Sequence, residues 1–142
     1  MEKVNLSIKL KNRLDELDKI KAAVSEISAS TDCTRRDSKE INLILEEIFT
    51  NVVNYGFDDD KEHDINLSLS CDECILLIRI EDDGKPFDFT ATADPDTKCP
   101  VENRCIGGLG IHFVKHFMDD CKYYRNKGKN IVVLKKDMTN DE

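Results

Sequence analysis

Three short stretches hold polar residues at spacings that could do chemistry. The first is LEEIFTNVVNYGF, which carries Glu47, Asn51 and Asn54. On a helix, at about 100° per residue, these three fall within about 60° of one another, beside the apolar stripe of Ile41, Ile44, Leu45, Ile48, Val52 and Tyr55. A carboxylate there could act as a general base. An amide oxygen four residues on could bind Mg²⁺, a hard cation that takes oxygen ligands. A solvated helix edge with locally paired asparagines fits the same spacing, and helix geometry alone favours that plainer reading.

The second stretch is DDGKPFD, with Asp82 two residues before Gly84. Asp-Gly is a common turn dipeptide. Alternatively, Asp82 accepts a hydrogen bond from the amine of a base in a pocket, and Gly84 lets that base approach the backbone. The third stretch is GGLGIHFVKHFMDD, where Gly107, Gly108 and Gly110 flank Leu109 and run into an amphipathic segment. No Gly-Lys-Ser/Thr follows, so it is not a Walker loop, and no strand leads directly into it, as a dinucleotide fingerprint requires. The general physics of a helix N-terminus remains: unpaired N–H groups and the helix dipole favour an anion, and glycines allow close approach. Arg104, just upstream, could add a charge-assisted contact. A packing turn that needs glycine for steric reasons fits this segment equally well. His112 and His116 are four residues apart on the same segment but lack the intervening Glu of a zinc-binding HExxH, and read as a surface pair.

Periodicity supplies the elements that must hold these residues. Val4, Leu6, Ile8 and Leu10 alternate as a strand. Leu14, Leu17, Ile20, Lys21, Val24 and Ile27 suggest a helix from about 14 to 30. A second helix is expected from Ser38 to Tyr55, with Asp37 and Glu40 spaced as a capping box and Gly56 at its end. Ile65, Leu67 and Leu69 alternate, as do Cys74, Leu76, Ile78 and Ile80. These two runs predict a hairpin whose second strand is buried on both faces, with Ile75 and Leu77 on its other side. The segment from Pro86 to Gly107 has no clear period, and loops this long in a domain are often lids or binding loops. A third helix follows, with a stripe of Ile111, Val114, Phe117, Met118 and Cys121. KYYR and NIVVLKK, joined at NKGK, close the chain as a second hairpin. This order predicts one α+β domain over residues 1–142: a two-layer sandwich with helices on one face of a mixed, mainly antiparallel sheet.

The 142 residues suffice for one core. A formal net charge of −8 argues against broad binding to DNA or anionic membranes, though not against a small basic site for one nucleotide. No apolar run is long enough to span a bilayer, and the N-terminus lacks a signal-peptide core, so a cytoplasmic location is expected. The six cysteines then read as reduced thiols. Cys71 and Cys74 form a lone CxxC at the expected hairpin tip, without the second pair that a structural zinc usually needs.

Taken together, the three stretches resemble the boxes of the GHKL ATPases, the Bergerat-fold group that includes gyrase, histidine kinases and MutL. LEEIFTNVVNYGF is similar to the N box, with Glu47 and Asn51 at its Glu-x-x-x-Asn core. DDGKPFD is similar to the Asp-x-Gly box through Asp82 and Gly84, and GGLGIHFVKHFMDD to the Gly-x-Gly box through Gly108 and Gly110. Within the group, EIFTN, GKPFD and the ending in HFMDD resemble the anti-sigma-factor serine/threonine protein kinases over nearly the whole chain.

That resemblance implies ATP and Mg²⁺ binding beneath a lid, with adenine near Asp82. Glu47 would be the general base and Asn51 the Mg²⁺ ligand. The turn Gly107, Gly108, Leu109 and Gly110 would hold phosphates, and Asn54, Gly84 and Arg104 would complete the cofactor-binding set. The implied reaction is transfer of the γ-phosphoryl group to a serine or threonine of an anti-sigma-factor antagonist, a small STAS-domain protein. Family members also bind a sigma factor and are commonly homodimers. The main alternative is a nucleotide-gated binding module that transfers phosphate slowly or not at all. The chain departs from the family pattern at Pro86 in place of a second glycine, at Asn54 and Tyr55, and at Lys129, where many members place a Thr near the adenine.

Overall fold

The alternation at the N-terminus forms β1 (Val4–Lys11), with Leu10 fully buried and Asn5, Ser7 and Lys9 exposed. A computed structural model describes residues 3–31, 37–88 and 108–138, with backbone only for 108–112. A 3₁₀ turn (Leu14–Glu16) leads into α1 (Leu17–Ser30). The helix expected from residue 14 therefore starts later, and Leu14, placed on its stripe, is instead exposed. Glu16 is turned inward in its stead, accepting the Lys11 backbone N–H at 2.7 Å. That contact lowers its pKa more than burial raises it. Helix α2 (Ser38–Tyr55) matches its expected span. Its N-cap Asp37 makes no side-chain capping bond, so the capping box does not form.

Strands β2 (Asp64–Asp72) and β3 (Ile75–Asp82) form the first hairpin. Its two-residue turn has positive φ at both Glu73 and Cys74 (53° and 65°), which suits the right-handed twist of the flanking strands. Helix α3 (Gly108–Phe117) begins inside the glycine run. It is followed by β4 (Asp120–Asn126) and β5 (Lys129–Asp137), joined through Lys127 and Gly128, also at positive φ. Cys121, expected on the helical stripe, belongs to β4.

The strand order is β1-β2-β3-β5-β4, and every neighbouring pair is antiparallel. The expected parallel component is absent among the described strands, because β5 folds back between β3 and β4 and separates the two that point the same way. Inward-facing Leu10, Ile65, Leu69, Leu76, Ile78 and Leu134 meet Ile20, Ile27, Ile41, Ile44 and Leu45 of the helices in one core cluster. The other face of the sheet is open. Leu77 is 42% exposed and Arg79 is exposed, so β3 is buried on one face only, contrary to its near-continuous apolar sequence.

The cysteines divide. Strand alternation turns Cys71 into the core as a free thiol, and Cys121 is also free. Cys74, in the turn itself, is disulfide-bonded. The expectation of reduced thiols therefore fails at Cys74, which sits in the turn, while Cys71 stays locked in the core. No group of three or more metal-binding side chains occurs among the described residues, and no helix among them is long and apolar enough to cross a membrane.

Candidate functional site

Few polar side chains are buried among the described residues: Glu16, Ser28, Asp82 and Asn130. Two of them touch. Asp82 ends the inward-facing row of β3, after Ile78 and Ile80. Asn130 begins the inward-facing row of β5, before Val132 and Leu134. The antiparallel register pairs their Cα atoms across the sheet. A polar pair therefore closes one end of an otherwise apolar surface. The C-terminal half of α2 lies opposite, and the space between is a cleft lined by Asn51, Val52, Tyr55, Asp82, Phe87 and Asn130, among others.

Asp82 Oδ1 accepts the Gly84 backbone N–H at 2.8 Å and Asn130 Nδ2 at 3.0 Å. Its Oδ2 receives no hydrogen bond from the described residues and is not sealed in the protein. Burial pushes the Asp82 carboxyl above the usual carboxylate range, while Asn130, the Gly84 N–H and the Arg125 charge act to lower it. An acceptor with one open lone-pair face, set in apolar walls, suits an amino group on a flat ring.

Gly84 also meets a steric requirement of its own, apart from any approach of a base. A Cβ there would stand 2.6 Å from the Gly56 carbonyl oxygen and 3.0 Å from Asp82 Oδ1. Gly56 caps α2, donating to the Val52 carbonyl at 2.8 Å, and its own carbonyl accepts the Lys85 N–H at 2.7 Å. The glycine thus lets the loop after β3 dock on the end of α2.

On α2, Asn51 Nδ2 donates to Glu47 Oε2 at 3.1 Å. This uses the amide's donor face and leaves its oxygen without a hydrogen bond from the described residues, in the state a hard cation would need. Asn51 lines the cleft and Glu47 lies one turn back along the helix. Asn54 is exposed and is not among the residues lining the cleft. Gly108, Leu109 and Gly110 form the first turn of α3, which packs on α2. Gly107 and Arg104 lie outside the described residues, as does the expected lid from residue 89 onward.

Lys129 is exposed and faces Glu81 at 3.7 Å on the outer side of the sheet. The neighbour that faces the cleft is Asn130. A shift of one residue along a strand exchanges its faces, and NIVVL is apolar on both, so the sequence did not reveal which position pointed inward. Tyr123 and Arg125 were likewise missed. Each bonds the Asn130 carboxamide oxygen, at 2.5 Å and 3.0 Å.

Beside the cleft, His63 is stacked on Phe57 with ring centroids 4.2 Å apart. Its Nε2 meets Asp59 at 2.9 Å and its Nδ1 meets Asp83 at 3.1 Å. The hydrogen bond to Asp59 raises the His63 pKa, burial opposes it, and the nearby charges of Asp83 and Asp59 reinforce it. This contact fastens the segment after α2 to the residue between Asp82 and Gly84.

Residues 10–136 match the family described as histidine kinase-like ATPase domain. Among characterised proteins, the serine-protein kinase RsbW of Listeria monocytogenes is 25% identical over 138 residues, covering 94% of this chain and 87% of the relative. The RsbW serine-protein kinase of Bacillus subtilis is 22% identical over 120 residues, covering 82% and 75%. A solved histidine kinase domain, from a blue-light activated histidine kinase of Erythrobacter litoralis, superimposes with a TM-score of 0.52 at 18% identity. It covers 84% of this chain and 61% of that one, a likeness of fold.

Proposed function

The chain belongs to the histidine kinase-like ATPase domain family, and on that premise we propose that it binds Mg²⁺-ATP and phosphorylates a serine or threonine of a STAS-domain anti-sigma-factor antagonist. The observation that carries this reading is the buried Asp82, with one oxygen engaged and the other open, facing a cleft whose opposite wall presents Asn51. Adenine stacks between the apolar walls and gives its amino group to Asp82 Oδ2. The glycine turn at the start of α3 takes the phosphates through its backbone N–H groups. The Asn51 amide oxygen would hold Mg²⁺, which would neutralise charge on the phosphates.

Glu47 accepts the proton of the attacking hydroxyl. The serine or threonine oxygen bonds to the γ-phosphorus as the bond from that phosphorus to the β–γ bridging oxygen breaks, and ADP leaves. Such a transfer needs positioning and charge neutralisation more than covalent chemistry, so one carboxylate, one metal and a set of donors suffice. Binding of a sigma factor and assembly as a homodimer complete the proposal, as does action of residues 1–142 as a single ATPase domain in the cytoplasm. The similarity to serine-protein kinases named RsbW supports it.

The test is incubation with labelled Mg²⁺-ATP and STAS-domain candidates, followed by mapping of any phosphoserine or phosphothreonine. Label on such a residue, lost in Glu47→Ala, is the expected result. ATP binding without transfer to any candidate would replace the kinase reading with that of a nucleotide-gated binding module.

A further inference from the structure

Asn130 is 5% exposed and makes five hydrogen bonds, although the proposed reaction gives it no task. Its carboxamide oxygen accepts from the Tyr123 hydroxyl and from Arg125 Nη1. A guanidinium can only donate, so the oxygen must face it. The amide nitrogen is thereby aimed the other way, at Asp82 Oδ1 (3.0 Å) and the carbonyls of Lys85 (2.8 Å) and Gly84 (3.4 Å). Arg125 Nη1 also donates to the Gly84 carbonyl at 2.7 Å, so one exposed cation pins both the amide and the loop.

The consequence falls on Asp82. A free carboxylate can receive two parallel donors, one on each oxygen. With Oδ1 filled by Gly84 and Asn130, only Oδ2 is available to a ligand. Adenine offers a single exocyclic amino group on its pairing edge. Guanine offers a ring N–H and an amino group side by side, a pair that calls for both oxygens.

We propose that Arg125, assisted by Tyr123, is a positioning residue for base selection. By fixing the orientation of the Asn130 amide it keeps one oxygen of Asp82 occupied, and so confines the site to the single-amino edge of adenine against the two-donor edge of guanine. This rests on the reading of the cleft as a nucleotide site. Neither Arg125 nor Tyr123 touches the base; both act through Asn130.

The experiment titrates ATP and GTP, each with Mg²⁺, into the full chain and into Arg125→Met, Arg125→Lys and Tyr123→Phe, with thermal unfolding of each variant measured without nucleotide. Loss of a charge-assisted hydrogen bond predicts that the ATP:GTP affinity ratio falls about tenfold in Arg125→Met. The ratio falls less in Tyr123→Phe and is largely restored in Arg125→Lys. A purely structural role would lower stability, or weaken both nucleotides equally, with the ratio unchanged; that result overturns the proposal. If Arg125→Met does not fold, the ratio in Tyr123→Phe decides. Failure of the unaltered chain to bind either nucleotide refutes the nucleotide reading itself, a distinct outcome.

Discussion

Gly84 sits against the end of α2 so closely that a Cβ on it would stand 2.6 Å from the carbonyl oxygen of Gly56. That nearest neighbour is backbone, held by the Lys85 N–H to Gly56 bond and by the helix cap, so it cannot give way cheaply. Gly84→Ala is expected to cost about 1–3 kcal/mol of folding stability, the range for overpacking a tight contact. It should also displace Asp82, whose Oδ1 would lie 3.0 Å from the new methyl. Urea unfolding together with ATP titration checks both effects. A fully stable variant with normal ATP affinity would show that the two segments are not so tightly joined.

Asp82→Asn separates binding from stability. The raised pKa of Asp82 means that folding disfavours its charge. For an acid whose pKa is higher folded than unfolded, the folded state holds more protons between the two values, so stability falls as pH rises through that window. Above the folded value the cost is fully present, and a neutral Asn removes it. The variant should be at least as stable as the parent at pH 7. Its amide nitrogen would nevertheless oppose the adenine amino group and weaken ATP by tenfold or more, on the order expected for losing a hydrogen bond to a charged group. Equal ATP affinity would argue against adenine at this position.

Glu47→Ala should lower phosphoryl transfer by about 10²–10⁴, the usual contribution of a general base, while ATP affinity stays within a few-fold. Asn51 loses the hydrogen bond to Glu47, but its oxygen remains available to a cation. Single-turnover transfer and equilibrium binding, measured on the same preparation, separate the two quantities. Transfer at the parental rate would remove Glu47 from the proton-transfer role.

The His63 contacts predict a pH dependence of the opposite kind to an acidic group with a depressed pKa. A histidine whose pKa is raised by folding contributes stability that is fully present below the unfolded value, about 6.5, and is lost as pH rises through the higher folded value. The melting temperature should therefore fall on going from pH 6 to pH 8.5. In His63→Gln, which cannot carry the charge between Asp59 and Asp83, the fall should be smaller. Identical slopes for the two proteins would mean that the imidazolium is not held by these carboxylates.

How much of this was legible beforehand follows the strength of each local pattern. Helix α2 was readable to its ends because its apolar stripe is long and its polar edge short. The Glu47–Asn51 adjacency followed from helical spacing alone. Helix α1 was extended too far because Leu14 fits the stripe by spacing, whereas the 3₁₀ turn rotates it to the surface. In β3 and β5 the apolar residues occupy both faces, so alternation could not say which face met the helices. That ambiguity hid Asn130 and drew notice to Lys129. The partner contacts of Asn130 come from residues 5 and 7 positions away in sequence and 46 and 48 away, a convergence that only the strand order produces.

Helix α2 also serves as a measuring rod. The residue proposed as general base, Glu47, and a residue lining the cleft, Tyr55, ride on one unbroken helix whose far end is fastened to the loop after β3. Eight residues at 1.5 Å each set about 12 Å between them. Inserting or deleting one residue in that span would leave each wall well formed, yet swing Glu47 by about 100° around the axis, away from the position the proposed reaction needs. Spacing along this rod is thus under a stricter constraint than the identity of most residues upon it, and drift in length should be tolerated only in the segments beyond its two ends.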